Sequence, residues 1–114
     1  MKKVCYVIGP FRGSTGWDVV QNVRRAELLA LEVAKAGAMP LCPHTNTGNF
    51  HGQLDDQFWL DGTLELLKRS DCAILLSNWE QSSGSRGEIE YANSHGIPLF
   101  HTVNQLAAWL GIYG

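Results

Sequence analysis

Hydrophobic positions in this chain fall into short continuous runs separated by longer stretches with helical period. Lys3 to Gly9, K-V-C-Y-V-I-G, is an unbroken β-rich run closed by Gly-Pro, the pattern of a central parallel strand covered on both faces. Cys72-Ala73-Ile74-Leu75-Leu76 repeats that pattern, and Met39–Pro43 and Pro98–His101 read as shorter strands. Val23, Ala26, Ala30, Val33 and Ala34 mark one face of a helix predicted from an Asn22 N-cap through Ala36, with Gly37 as its stop. Gln57 to Arg69 carries Phe58, Leu60, Leu64 and Leu67 at helical spacing and ends in Lys68-Arg69, which suits the negative end of a helix dipole. Another helix is expected to open near Ser85 or Arg86 and stop at Gly96. A last one spans Val103 to Leu110, with Trp109 packed on the core.

Four alternations of strand and helix predict an α/β fold. The expected form is a doubly wound, mainly parallel sheet of four to five strands with helices on both faces, flavodoxin- or Rossmann-like, joined by right-handed crossovers. The 114 residues suit one domain around one core. At 45% hydrophobic and 18% charged the chain reads as globular, and a formal net charge of −2 gives no basic footprint for a nucleic-acid polymer. No apolar run approaches a membrane span, and Met-Lys-Lys leads directly into a strand with no signal-peptide cleavage pattern. The cysteines are odd in number. Cys5 and Cys72 lie inside apolar runs, so buried free thiols in a reducing cytoplasm are expected.

Candidate chemistry gathers after the two strongest strands, where ligand sites of open α/β sheets form. After the first comes Phe11 to Asp18, a loop of glycine and small polar residues in which Arg12 offers a forked donor for phosphate. It carries no full dinucleotide fingerprint or Walker sequence, so a plain strand-to-helix connection fits equally. After the second comes W-E-Q-S-S-G-S-R-G-E, Trp79 to Glu88. Two roles fit Glu88: an ionised carboxylate in a first helical turn, available as a nucleophile, or the glutamate of a Ser85-x-x-Glu88 capping box. Trp79 fits a half-exposed strand-end aromatic or a plate against a nucleobase, and Ser82 and Ser83 fit ordinary turn residues. Asp61 and Asp71 are placed to reach the cleft or to cap helix ends. The long polar stretch between Cys42 and Gln57 is a candidate lid. Cys42, His44 and His51 match no standard zinc spacing, so no metal is expected, and His95 and His101 read as helix-end and strand-end residues.

Y-V-I-G-P-F-R-G (Tyr6–Gly13) followed by S-S-G-S-R-G-E-I-E-Y-A (Ser82–Ala92), with L-L-K-R-S-D-C-A-I-L-L between them, resembles the nucleoside 2-deoxyribosyltransferase superfamily. That superfamily includes the 2′-deoxynucleoside 5′-phosphate N-hydrolases, and W-E-Q-S-S-G-S-R-G-E is most similar to its small bacterial and phage relatives. The resemblance spans Tyr6 to about Phe100 and implies cleavage of the N-glycosidic bond of a 2′-deoxynucleoside or its 5′-monophosphate, with no cofactor. It implies that Glu88, closing Ser82-x-Gly84-x-x-x-Glu88, is the nucleophile. Tyr6 lies in the first strand beside the site, Gly9, Pro10, Phe11 and Arg12 form the following turn, and Ser82 and Arg12 hold a phosphate. An aspartate that the family places eight residues before the one opening the third strand is Thr63 here, and Asp61 is the nearest acid. A homodimer or larger assembly is implied too, since relatives often lend a C-terminal residue to a neighbour's site. Two alternatives stand beside this one. A non-catalytic nucleotide-binding module on the same fold is favoured by Thr63, and a phosphoribohydrolase of the lysine-decarboxylase-like group is disfavoured by the missing Pro-Gly-Gly-x-Gly-Thr turn.

Overall fold

The computed structural model describes residues 1–50 and 52–114. Four strands, β1 (Val4–Ile8), β2 (Met39–Leu41), β3 (Cys72–Leu75) and β4 (Leu99–Phe100), form one parallel sheet in the order β2-β1-β3-β4. The helices are α1 (Gly16–Ala36), α2 (Pro43–Asn46), α3 (Asp56–Lys68), α4 (Ser83–Ser94) and α5 (Val103–Tyr113). The doubly wound parallel α/β architecture is the one the alternation of patterns predicts.

Strand β1 shows why both faces must be covered. Its side chains alternate, so Cys5 and Val7 join Ala26, Val33, Ile74 and Leu106 beneath α1 and α5, while Tyr6 and Ile8 join Leu67, Ala73, Leu75 and Ala92 beneath α3 and α4. Each fully buried large aliphatic side chain, such as Leu67 or Leu106, contributes on the order of 2 kcal/mol from leaving water. Trp109 packs against the α1/α5 layer, as its spacing predicts. All three cysteines are free and buried.

Local chemistry moves several boundaries. Helix α1 starts at Gly16, not after Asn22, because Thr15 is its cap: the Thr15 hydroxyl accepts from Asp18 N–H and the Asp18 carboxylate accepts from Thr15 N–H, each at 3.2 Å. Asn22 therefore lies inside the helix, buried, and Ala34 of the predicted apolar face is exposed. The helix ends as expected at Gly37, whose φ of 111° only glycine adopts without strain. In α3 the predicted apolar face is half right: Leu67 is buried, whereas Phe58 and Leu60 are about half exposed. The polar stretch after β2 is not an open loop. It folds into α2 and a 3-10 turn at Gly48–Phe50, and His51 lies outside the described residues. Among the described residues no helix is long and apolar enough to cross a membrane.

Candidate functional site

The chain runs from β1 outward to β2, then returns to place β3 on the other side of β1. That reversal parts the two loops that leave β1 and β3, and a crevice forms outside the strand ends between them. A cleft of about 710 Å³ occupies this position. Its wall comes from four sources: the turn after β1 (Gly9, Phe11, Arg12), α2 and the turn after it (His44, Gly48), α3 (Trp59, Asp61, Thr63) and the start of α4 (Ser82, Gly84, Glu88).

Two corrections concern Glu88. The cap of α4 is Ser82, whose hydroxyl accepts from Ser85 N–H at 3.1 Å, so no Ser85–Glu88 capping box forms. Glu88 thereby falls in the second turn, beyond reach of the terminal N–H groups expected to keep it ionised. Instead its side chain is half-buried and faces Tyr6, whose phenolic O–H donates to Glu88 Oε2. Burial pushes the Glu88 carboxyl up to about 7, and the Tyr6 hydrogen bond pulls against that rise. Tyr6 is itself held above the ordinary phenol range, first by burial and then by the negative charge of Glu88. It therefore remains an O–H donor at any ordinary pH. A carboxyl balanced between its two forms near neutrality, with one oxygen fixed by a permanent donor, can act as nucleophile or as general base.

Most of the sequence-predicted site residues meet at this cleft: Tyr6, Gly9, Phe11, Arg12, Asp61, Ser82, Gly84 and Glu88 all line it. Gly9 is required by packing, since a Cβ there would lie 2.8 Å from Leu76 Cβ. Arg12 pairs with Asp56 at the start of α3, both side chains being more than half exposed. Asp61 is exposed at the rim and accepts from Gln57 Nε2 at 2.7 Å.

Three expected residues lie elsewhere. Trp79 packs against the α3/α4 layer and borders a shallow groove with Arg86 and Ile89, away from the cleft. Pro10 is buried behind the turn, where its carbonyl accepts from His44. Asp71 sits at the opposite end of the sheet, accepting from Val4 N–H at 2.8 Å.

In their place the fold supplies Trp59, Thr63 and His44. Trp59 is half-buried against Phe58 (centroids 5.0 Å, edge-on), and its indole Nε1 is buried without a hydrogen-bond partner. Thr63 lies one turn further along the same face of α3 and donates to Leu60 O at 3.1 Å. That four-residue spacing on a helix was the available signal for the pair. His44 is buried, lines the cleft, and has Nε2 at 3.0 Å from both Gly9 O and Pro10 O. Burial lowers its basicity, keeping the ring neutral with the proton on Nε2. Among the described residues no group of three or more His, Cys, Asp or Glu side chains is arranged to hold a metal ion.

No curated protein matches the chain. Residues 3–102 of the 114 match the family described as a domain of unknown function (DUF7768). That span covers all four strands, the cleft and Glu88, so the chain belongs to this family of α/β domains of unknown function.

Proposed function

We propose that the cleft binds a 2′-deoxynucleoside or its 5′-monophosphate and that Glu88 cleaves its N-glycosidic bond. The single observation that carries this reading is the half-buried Glu88 carboxyl, bonded to Tyr6 and lining a cleft of nucleotide size. In the ionised form a Glu88 oxygen attacks C1′ while the bond to the base breaks, and the base leaves with the electron pair and takes up a proton. The transition state is oxocarbenium-like, as in retaining glycosidases, and the lack of a 2′-hydroxyl eases formation of that cation. Tyr6 holds the second carboxyl oxygen so that the attacking one keeps its aim. Arg12 and Ser82 anchor a 5′-phosphate, and Trp59, not Trp79, is the aromatic wall for the base. Water or a second base then takes the sugar from Glu88. No cofactor enters the scheme. Assembly into a homodimer or larger oligomer belongs to the same proposal, resting on the resemblance alone.

A panel of nucleosides and 5′-monophosphates, deoxy and ribo, assayed for free base with and without an acceptor base, tests the reaction. Base release by wild type that disappears in Glu88→Ala, with the fold intact by circular dichroism, is the expected outcome. Undiminished release by Glu88→Ala would reject the assignment.

A non-catalytic nucleotide-binding module is the second reading. Its support is Thr63, which occupies the wall beside Tyr6 where the resemblance calls for an acid, with Asp61 out at the rim. Ligands that raise the melting temperature yet survive unchanged would favour it.

A further inference from the structure

Four consecutive carbonyls of the turn after β1 are captured by two buried side chains. His44 Nε2 lies 3.0 Å from Gly9 O and 3.0 Å from Pro10 O, and Asn22 Nδ2 donates to Phe11 O and Arg12 O at 3.1 Å each. The two side chains come from different elements, α1 and α2, and only 8% of Asn22 and 6% of His44 is exposed. Neither role is required by secondary structure. Asn22 sits mid-helix, where asparagine is a poor choice, and α2 is a single turn too short to stand alone.

We propose that Asn22 and His44 are positioning residues that together hold the Gly9–Arg12 turn in the shape that presents Phe11 and Arg12 to the cleft. The inference rests on the reading of that cleft as a ligand site. A turn with Gly9 at its start and Gly13 at its end has wide conformational freedom, and its carbonyls would otherwise seek water. Each trans peptide unit carries its N–H opposite its C=O, so fixing the carbonyls of Phe11 and Arg12 on Asn22 turns the N–H groups of Arg12 and Gly13 away from α1. The His44 ring also packs on Phe11, with centroids 6.1 Å apart at 55°. Neutral His44 has one N–H, on Nε2, and Nδ1 faces Cys42 Sγ at 3.9 Å. The clamp therefore leaves no donor over, and the Arg12–Asp56 pair ties the far end of the turn to α3.

The test uses variants matched in size. Asn22→Asp replaces the donating nitrogen with oxygen, His44→Met removes the ring donor, and His44→Gln keeps an N–H at the Nε2 position. Backbone 15N order parameters of Arg12 and Gly13 in the unliganded full chain are the direct readout. Asn22→Asp and His44→Met should each lower them from the rigid range, about 0.85, to below about 0.6 while those of β1 and β3 stay rigid, and His44→Gln should restore the wild-type values. The melting-temperature rise given by the four 2′-deoxynucleoside 5′-monophosphates should shrink in the first two variants and return in the third. Unchanged order parameters in the turn, loosening that spreads equally through β1, or His44→Gln as loose as His44→Met would each overturn the proposal. If no monophosphate shifts the wild-type melting temperature and no base is released, the proposed function fails, and the order parameters still decide the clamp.

Discussion

Replacing Glu88 with Gln should stabilise the protein in neutral and alkaline solution and leave it unchanged in acid. The side chain keeps its shape and can still accept the Tyr6 hydrogen bond, so the lost charge is the main change. In the unfolded chain the carboxyl titrates near its ordinary value of 4.5, and in the folded chain burial raises it to about 7. The folded value is the higher one, so the neutral carboxyl's contribution is complete below about 4.5, declines as pH rises, and is gone above about 7. At ~1.4 kcal/mol for each pH unit, that gap corresponds to about 3 kcal/mol as an upper figure, or roughly 10 °C in Tm for a domain of this size. Glutamine carries no such loss. Urea unfolding of both proteins from pH 4 to pH 8 measures the difference directly. It should be close to zero at the acid end and grow to favour Glu88→Gln by up to about 3 kcal/mol at the alkaline end. A gap that does not change with pH, or a variant less stable at pH 8, would refute the claim that burial makes this charge costly. Because the same substitution removes the nucleophile, greater stability should coincide with loss of base release.

The pH profile of wild-type base release should rise through about pH 7, since only the ionised Glu88 can attack. Tyr6→Phe should keep the fold, because the ring stays in the core, but move that inflection upward by about one unit through loss of a bond to a charged group. An unshifted profile would remove Tyr6 from the mechanism. Gly9→Ala should destabilise by about 1–3 kcal/mol through overpacking against Leu76, read as a lower urea midpoint with an unchanged slope. Leu106→Ala should cost about 2–5 kcal/mol by opening the α1/α5 layer, read as a lower urea midpoint, while leaving the order parameters of the turn after β1 unchanged.

The unbroken apolar runs of β1 and β3 made the parallel sheet and its two covered faces readable, because a strand covered on both sides carries apolar residues at every position, a pattern local to the chain. The gathering of Tyr6, Gly9, Arg12, Ser82 and Glu88 was legible too, since the turns after neighbouring parallel strands must meet at one end of a sheet. Which tryptophan faces the cleft was not legible. Trp59 stands between Phe58 and Leu60 and reads as an ordinary apolar helix position, Trp79 stands between polar residues in a turn, and only the packing of α3 across the strand ends brought Trp59 to the cleft. The state of Glu88 was beyond the sequence for a related reason. Local pattern sees a helix start and a favourable dipole, whereas the burial that raises the carboxyl and the Tyr6 hydrogen bond that opposes it come from tertiary packing, Tyr6 lying 82 residues away in the chain. Asn22 and His44 carry the same lesson. As letters Asn22 suggested a helix cap and His44 had no role once its spacing matched no zinc pattern, and only the folded chain brings their donors to four carbonyls of one turn.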